Sequence, residues 1–241
     1  MTHEAGPPLL AITFDDGPSS FRPQTLQVLR DRQVPGVFFD NGIRVDANPQ
    51  LAAFQVREGH VQLNHTYTHP HLDRLSAAAV VEEVRRTEKA LATAGAPLTF
   101  AGIRPPFNEA DERTRLRLTA LGYTVFTPAD GRIGTDDYDP ALTAAQIRDA
   151  IVDRLRPGGI IGLHDGAIDT PAGAATVAAL PQIIDAARER GYAFGVVDAS
   201  GQVVAGGLAA TGGPIPPIVH PVPYLPLVFP GPLPRPYVMV V

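Results

Sequence analysis

Short apolar runs with strand character recur along this chain at 9–14, 34–39, 101–103, 123–126, 160–163 and 193–197, and helical patterns fill the intervals between them. Strands of this kind, separated by helix-length segments, predict a mostly parallel sheet flanked by helices. About six or seven such units suit a barrel better than a small open sheet. The clearest helix covers 76–94. Its apolar stripe is Val80, Val84, Leu91 and Ala94, Ser76 stands where an N-cap belongs, and Gly95 stops it. A second begins at Thr143, which has capping-box spacing to Gln146, continues through Ile147, Ile151 and Leu155, and is stopped by Pro157-Gly158. A third runs over 174–190, with Pro181 as a kink or restart.

The pattern ends near Val197. From 201 to 241 the chain is dense in Gly and Pro, which forbids helix and central strand and divides it into a folded unit at 1–200 and an extension at 201–241. The extension keeps Val219, Tyr224, Leu225, Leu227, Val228, Phe229 and Tyr237, more large apolar residues than a solvated linker carries. Part of it is therefore expected to lie extended against the barrel or a partner surface.

With 241 residues, 44% of them hydrophobic, the folded unit can bury one sizeable core. A net charge of -5 without any Lys/Arg cluster offers no field for nucleic acid. No run of eighteen apolar residues occurs, so no membrane span is expected, and the first residues lack the basic and apolar regions of an export signal. There is no cysteine, so any metal must be held by histidine and carboxylate.

Four short segments carry chemistry, three at the ends of the expected strands and one after a further short strand expected at 61–63. Thr13-Phe14-Asp15-Asp16-Gly17-Pro18 places two carboxylates after the first strand, where barrel enzymes keep functional side chains, although Asp-Asp-Gly-Pro also reads as an ordinary turn. Neighbours on a strand point to opposite sides, but at its fraying end both can reach one pocket. In Asn64-His65-Thr66-Tyr67-Thr68-His69-Pro70 the two histidines stand four apart, a spacing that brings imidazoles to one side of a helical turn and suits Zn²⁺ with a carboxylate as third ligand. Thr66 and Thr68 could hydrogen-bond that loop. Arg104 opens the stiff Arg104-Pro105-Pro106-Phe107, and His164 ends the strand in Gly162-Leu163-His164-Asp165-Gly166, where a histidine can serve as a general acid or be a satisfied loop residue.

In order and position these motifs, with Glu58-Gly59-His60 before the second and Asp137-Tyr138 between the third and last, resemble the polysaccharide deacetylase family, also called the NodB homology domain or carbohydrate esterase family 4. The resemblance extends over roughly 9–197. It implies an α/β fold, a deformed (β/α)7-type barrel, with the catalytic domain at 1–200 and the Pro/Gly-rich extension beyond it. It also implies a hydrolase with one divalent metal ion, Zn²⁺ first, with Co²⁺ or Mn²⁺ as alternatives, acting on an acetylated oligo- or polysaccharide.

Carried over residue by residue, the resemblance makes Asp15 the general base and Asp16, His65 and His69 the metal ligands. Arg104 would orient Asp15, and the backbone N–H of Phe107 would face the oxyanion. His164 would protonate the leaving amine, and Leu163 would line the acetyl-methyl pocket. The family's Asp-Trp motif is represented by Asp137 and Tyr138, the aspartate tuning His164 and the aromatic ring walling the pocket. The preceding stretch is long for the family, so Asp130 or Asp136 could serve the histidine instead. His60 is expected to be structural, His71 a loop residue that could also border the substrate cleft, His3 and His220 without a role, and the charges at 82–89 and 111–117 solvated helix faces.

The leading expectation is N-deacetylation of GlcNAc-containing glycans such as chitooligosaccharide or peptidoglycan, with O-deacetylation of acetylxylan second. A carbohydrate-binding pseudoenzyme is a third reading, and a two-His-one-carboxylate iron oxygenase a fourth, which would leave Asp15 without a task. Family members act outside the cytoplasm or at the cell wall, which stands against the missing export signal.

Overall fold

The computed structural model describes residues 6–127, 132–165, 171–208 and 213–219. Seven parallel strands lie along one path. They are β1 (Leu9–Gly17), β2 (Gly36–Asp40), β3 (Val61–Asn64), β4 (Gly102–Ile103), β5 (Thr124–Val125), β6 (Arg132–Gly134) and β7 (Ile160–His164), in the spatial order β5-β4-β3-β2-β1-β7-β6. An eighth strand, β8 (Ala193–Val197), pairs in parallel with Leu9–Ala11 of β1, and β9 (Val203–Val204) adds to it antiparallel. Among the described residues no ladder joins β5 to β6. This is the α/β architecture expected, a deformed (β/α)7-type barrel.

The helices are α1 (Arg22–Asp31), α2 (Gly42–Ala47), α3 (Pro49–Arg57), α4 (Ala77–Thr93), α5 (Glu112–Ala120), α6 (Ala144–Val152) and α7 (Pro171–Glu189). Two of the expected caps are in place: Ser76 accepts the Ala79 N–H at the start of α4, and Thr143 and Gln146 form a reciprocal capping box on α6. α6 stops three residues short of Leu155, which still packs against the core, and α7 passes through Pro181 without a break between elements.

Side-chain alternation along β1 sorts the core into two layers. Leu10, Ile12 and Phe14 join Leu26, Leu29, Ile147, Ile151, Leu180 and Ile183 beneath α1, α6 and α7. Ala11 joins Val37, Phe39, Leu63, Phe126 and Ile160 inside the barrel. The interior row continues upward through Thr13, paired with Gly162, to Asp15, paired with His164. The same row that fills the barrel thus delivers two titratable groups to its C-terminal rim.

β6 is absent from the sequence expectation because Arg132-Ile133-Gly134 holds a single apolar residue, and the parallel ladder to β7 decides its conformation. At the other end, β9 carries the chain into the sheet past residue 200. Residues 213–219 follow the surface: Ile215 packs on the outer core, Pro217 accepts a hydrogen bond from Gln50 (3.2 Å), and the Val219 N–H donates to Asn48 (3.1 Å). Tyr224, Leu225, Leu227, Val228, Phe229 and Tyr237 lie outside the described residues.

Beneath the rim, the fully buried Arg22 is clamped between Asp40 (Nη2–Oδ1 2.6 Å) and Asp165, with Gln55 as a third partner. Gly17 leaves the guanidinium room, since a Cβ there would collide with it. Arg22 therefore ties α1 to β2 and to the residue after β7. Replacing it with Met leaves two buried carboxylates facing each other and should cost about 3–5 kcal/mol in urea unfolding. A loss below about 1 kcal/mol would show that the carboxylates share a proton instead.

Candidate metal and catalytic site

Asp15 and Asp16 reach one pocket because β1 breaks its own alternation. Asp16 has φ 65°, in the left-handed region, and the pairing with β2 shifts register between Asp15 and Gly17. Asp15 stays on the interior row, and Asp16 is turned back from the outer face. Its Oδ1 lies 3.1 Å from His65 Nε2 and 3.1 Å from His69 Nε2.

The two histidines do not sit on a helical turn, as the four-residue spacing suggested. They flank an irregular loop in which Thr66 (φ 66°) and His69 (φ 58°) are both left-handed, and the ring centroids are 5.0 Å apart. The loop is held from outside. The Thr66 and Tyr67 carbonyls accept the Gly42 and Ile43 N–H groups, and the Thr66 N–H donates to Asn64. Glu83 on α4 accepts from the Tyr67 N–H (2.9 Å), the Thr68 N–H (2.7 Å) and the Thr68 hydroxyl (2.8 Å). Thr68 thus does the work expected of it, whereas the Thr66 hydroxyl is buried without a described partner. The reading of 82–89 as a solvated face fails at Glu83, whose place three residues after Val80 turns it toward the loop.

His65 Nδ1 is 2.6 Å from the Arg104 carbonyl, so Nδ1 carries the proton and Nε2 offers its lone pair toward Asp16. Asp16 Oδ1 is buried and accepts no well-formed hydrogen bond among the described residues. Three donor atoms converging on one point, one an orphaned carboxylate oxygen, suit a divalent cation.

The arginine expected to orient Asp15 lies against it. Arg104, buried over the Phe39 ring, donates from Nη1 to Asp15 Oδ1 (2.5 Å) and to the Thr13 hydroxyl (2.9 Å). Burial pushes the Asp15 carboxyl up, but Arg104, then Arg132, His65 and His164, outweigh it and hold the group below the usual carboxylate range. Beyond the two prolines, Phe107 and Asn108 are left-handed (φ 58° and 56°). The Phe107 ring stands edge-on to His69 (4.6 Å) and stacks on His71 (3.9 Å), which pairs with Glu109 (2.8 Å). Of the two readings open for His71, these contacts favour the one at the border of the site.

His164 finds its carboxylate in Asp137. Nδ1 lies 2.7 Å from Asp137 Oδ1, the His164 backbone N–H donates to Oδ2 (2.8 Å), and the Thr176 hydroxyl donates there too (3.0 Å). Burial pushes the imidazole down, but Asp137, followed by Asp16 and Asp15, raises it to about 9. Asp136 is exposed and accepts from the Tyr138 hydroxyl (3.0 Å); Asp130 lies outside the described residues. Tyr138, half exposed, presents its ring edge-on to His164 at 5.6 Å.

Leu163 is the correction among the expected site residues. It pairs with Phe14, lies on the face of β7 opposite His164, and is wholly enclosed in the outer core. Period-two alternation cannot put Leu163 and His164 on the same face. His60 is structural as expected: its Nδ1 accepts the Gly36 N–H (2.9 Å), and burial lowers its pKa to about 4. His3 and His220 lie outside the described residues. Sequence reading missed Arg132, whose Nη2 approaches Asp15 Oδ2 (3.6 Å); an arginine in so short a polar segment carries no signal of its own.

A parallel barrel whose rim carries an Asp-His-His donor set, a separate carboxylate and a charged histidine defines a hydrolase-type site. The chain matches a family model described as Polysaccharide deacetylase over residues 2–126. A chitooligosaccharide deacetylase of Sinorhizobium fredii (strain NBRC 101917 / NGR234) is 35% identical over 196 residues, covering 78% of this chain and 89% of that protein. A bifunctional xylanase/xylan deacetylase of Cellvibrio japonicus is 34% identical over 190 residues, 78% of this chain but 27% of that one. Among solved structures, a family 4 carbohydrate esterase from Streptomyces lividans in complex with acetate superimposes with a TM-score of 0.74 at 31% identity, over 84% of this chain and all of that one. The chain belongs to the polysaccharide deacetylase family and is a hydrolytic enzyme.

Zn²⁺ titrated into chelator-treated protein should fill one tight site. Asp16→Ala should weaken it more than about a hundredfold, and Glu83→Ala, which loosens only the loop, roughly tenfold. Unchanged affinity in Glu83→Ala would remove that residue from the site's support.

Proposed function

We propose that this enzyme removes N-acetyl groups from GlcNAc-containing glycans, such as chitooligosaccharide or peptidoglycan, with Zn²⁺ held by Asp16, His65 and His69. The observation that carries the reading is Asp15: a buried carboxylate outside the donor trio, held ionised by Arg104, in register with a charged His164 on the next strand. Two His nitrogens with one carboxylate oxygen are a donor set that zinc accepts, and Co²⁺ or Mn²⁺ would fit it as well. When bound, the ion supplies a Lewis acid and lowers the pKa of water at its open position.

Asp15 takes the proton of the attacking water on Oδ2, because its carboxyl is ionised, Arg104 holds Oδ1, and Arg132 approaches Oδ2 only to 3.6 Å, beyond hydrogen-bond distance. The Phe107 N–H, on its left-handed turn, serves as a donor to the oxyanion. His164 gives its proton to the departing amine, and Asp137 keeps it charged until then. Tyr138 forms one edge of the pocket in the place of the family's tryptophan.

The match to a xylan deacetylase supports a second reading, O-deacetylation of acetylxylan by the same residues. Acetate release measured on chitooligosaccharides, peptidoglycan fragments and acetylxylan with added Zn²⁺ or Co²⁺ decides between them. Release from none of these would favour a carbohydrate-binding pseudoenzyme. Asp15→Asn should abolish release while metal binding persists, whereas His65→Ala should lose both; equal metal loss in the two variants would contradict the base assignment.

Because His164 acts as the acid, activity should fall as pH rises through about 9. Asp137 is what raises that value, so Asp137→Asn should move the alkaline limb of kcat/KM to lower pH, toward the ordinary histidine value of about 6.5. An unmoved limb would assign the group titrating there to another residue.

A further inference from the structure

Arg132 enters the site from two strands away. It stands on β6, its guanidinium passes over β7 at Gly162, and it ends between two groups on different elements. Nη2 lies 3.6 Å from Asp15 Oδ2, the oxygen that Arg104 does not hold, and Nη1 donates to Asn108 Oδ1 on the left-handed Phe107–Asn108 turn. The route exists because residue 162 has no side chain: a Cβ there would overlap the guanidinium. The Arg132 side chain is almost wholly buried, and its Nε has no hydrogen-bond partner among the described residues. A buried guanidinium with an unspent donor is a costly way to gain stability alone.

We infer that Arg132 is a positioning residue that locks the Phe107–Asn108 turn to the Asp15 carboxylate, so that the oxyanion donor and the base keep one fixed separation. The inference rests on the roles proposed above for Asp15 and the Phe107 N–H. Two consecutive non-glycine residues with positive φ cost free energy unless their surroundings hold them. The Asn108 side chain is the handle by which Arg132 holds this turn. Arg104 cannot do this, because it comes before the two prolines and is committed to Thr13 and Asp15 Oδ1. Misplacement of a reacting group by about 1 Å costs on the order of a hundredfold in rate, so the lock should appear in kcat.

The test compares wild type, Arg132→Gln, Asn108→Ala, their double variant and Gly162→Ala, each loaded with Zn²⁺. The readouts are acetate release from chitooligosaccharide, zinc affinity, and hydrogen exchange of peptides covering 104–109. Arg132→Gln should lower kcat roughly a hundredfold, leave KM within about threefold and zinc affinity unchanged, and speed exchange in 104–109 alone. Gly162→Ala, which keeps the arginine but blocks its route, should reproduce that loss. Asn108→Ala should weaken kcat less, and the double variant should be no worse than Arg132→Gln, since both break one contact.

Wild-type kcat and exchange in Arg132→Gln would overturn the inference, as would a kcat loss matched by faster exchange throughout the molecule. Were Arg132→Gln unfolded, Gly162→Ala and Asn108→Ala would carry the same comparison. If wild type releases no acetate, the functional reading falls and this inference with it. If wild type is active, Asp15→Asn is dead and the Arg132 variants are normal, this inference alone falls.

Discussion

The left-handed backbone at Asp16 is the constraint on which the rest of the site depends. A regular strand would send Asp15 and Asp16 to opposite faces, and only one could meet a substrate. One residue at φ 65° with a one-place register shift puts both at the rim, with different partners. The same device recurs nearby: of the seven non-glycine residues with positive φ among those described, Asp16, Thr66, His69, Phe107 and Asn108 surround the site. Strain is therefore concentrated where the chemistry is, and neighbouring groups sustain it. Glu83 holds the histidine loop, Asn64 the Thr66 amide, and Arg132 the turn after the prolines.

Five buried aspartates cluster at this end of the barrel, and each has a counterpart, two of them sharing one. Arg22 neutralises Asp40 and Asp165, Arg104 and Arg132 flank Asp15, His65 and His69 converge on Asp16, and Asp137 is committed to His164. Without this division, like charges at such separations would push one another toward protonation, as happens at Asp165, where burial and the nearby Asp40 raise the carboxyl despite the shared Arg22. With it, neighbouring acids and a histidine can be held in different states, one lowered, the other raised, which is the condition for acid and base work in one pocket. Arg22 has no hydrogen bond or ion pair to the donor trio among the described residues, yet it joins α1 to the end of β2 and to the residue after β7, just below the site.

Much of this was legible in the chain. Alternating strand and helix patterns, with Ser76 and Thr143 as caps, were enough for a parallel barrel, because caps and periodicity act through hydrogen bonds and faces set within a few residues. The order of the short motifs was enough to bring Asp15, Asp16, His65, His69, Arg104 and His164 to one end, since each follows a strand. The motif order pointed to Asp137 but left Asp130 and Asp136 open, and the contacts of Asp137 with His164 and Thr176 now separate it from the exposed Asp136.

What the sequence alone determined, then, was which residue types stand at which strand ends, and so the class of chemistry. Tertiary structure decided the directions. Leu163 turned outward because β7 keeps strict alternation, and the histidine pair left the expected helical turn because two left-handed residues and Glu83 shape the loop from a distance. Arg132 reached Asp15 only because β6 pairs with β7 and Gly162 leaves a passage. Each of these depends on contacts between residues far apart in the chain, and no local pattern encodes where a distant strand will place its side chains.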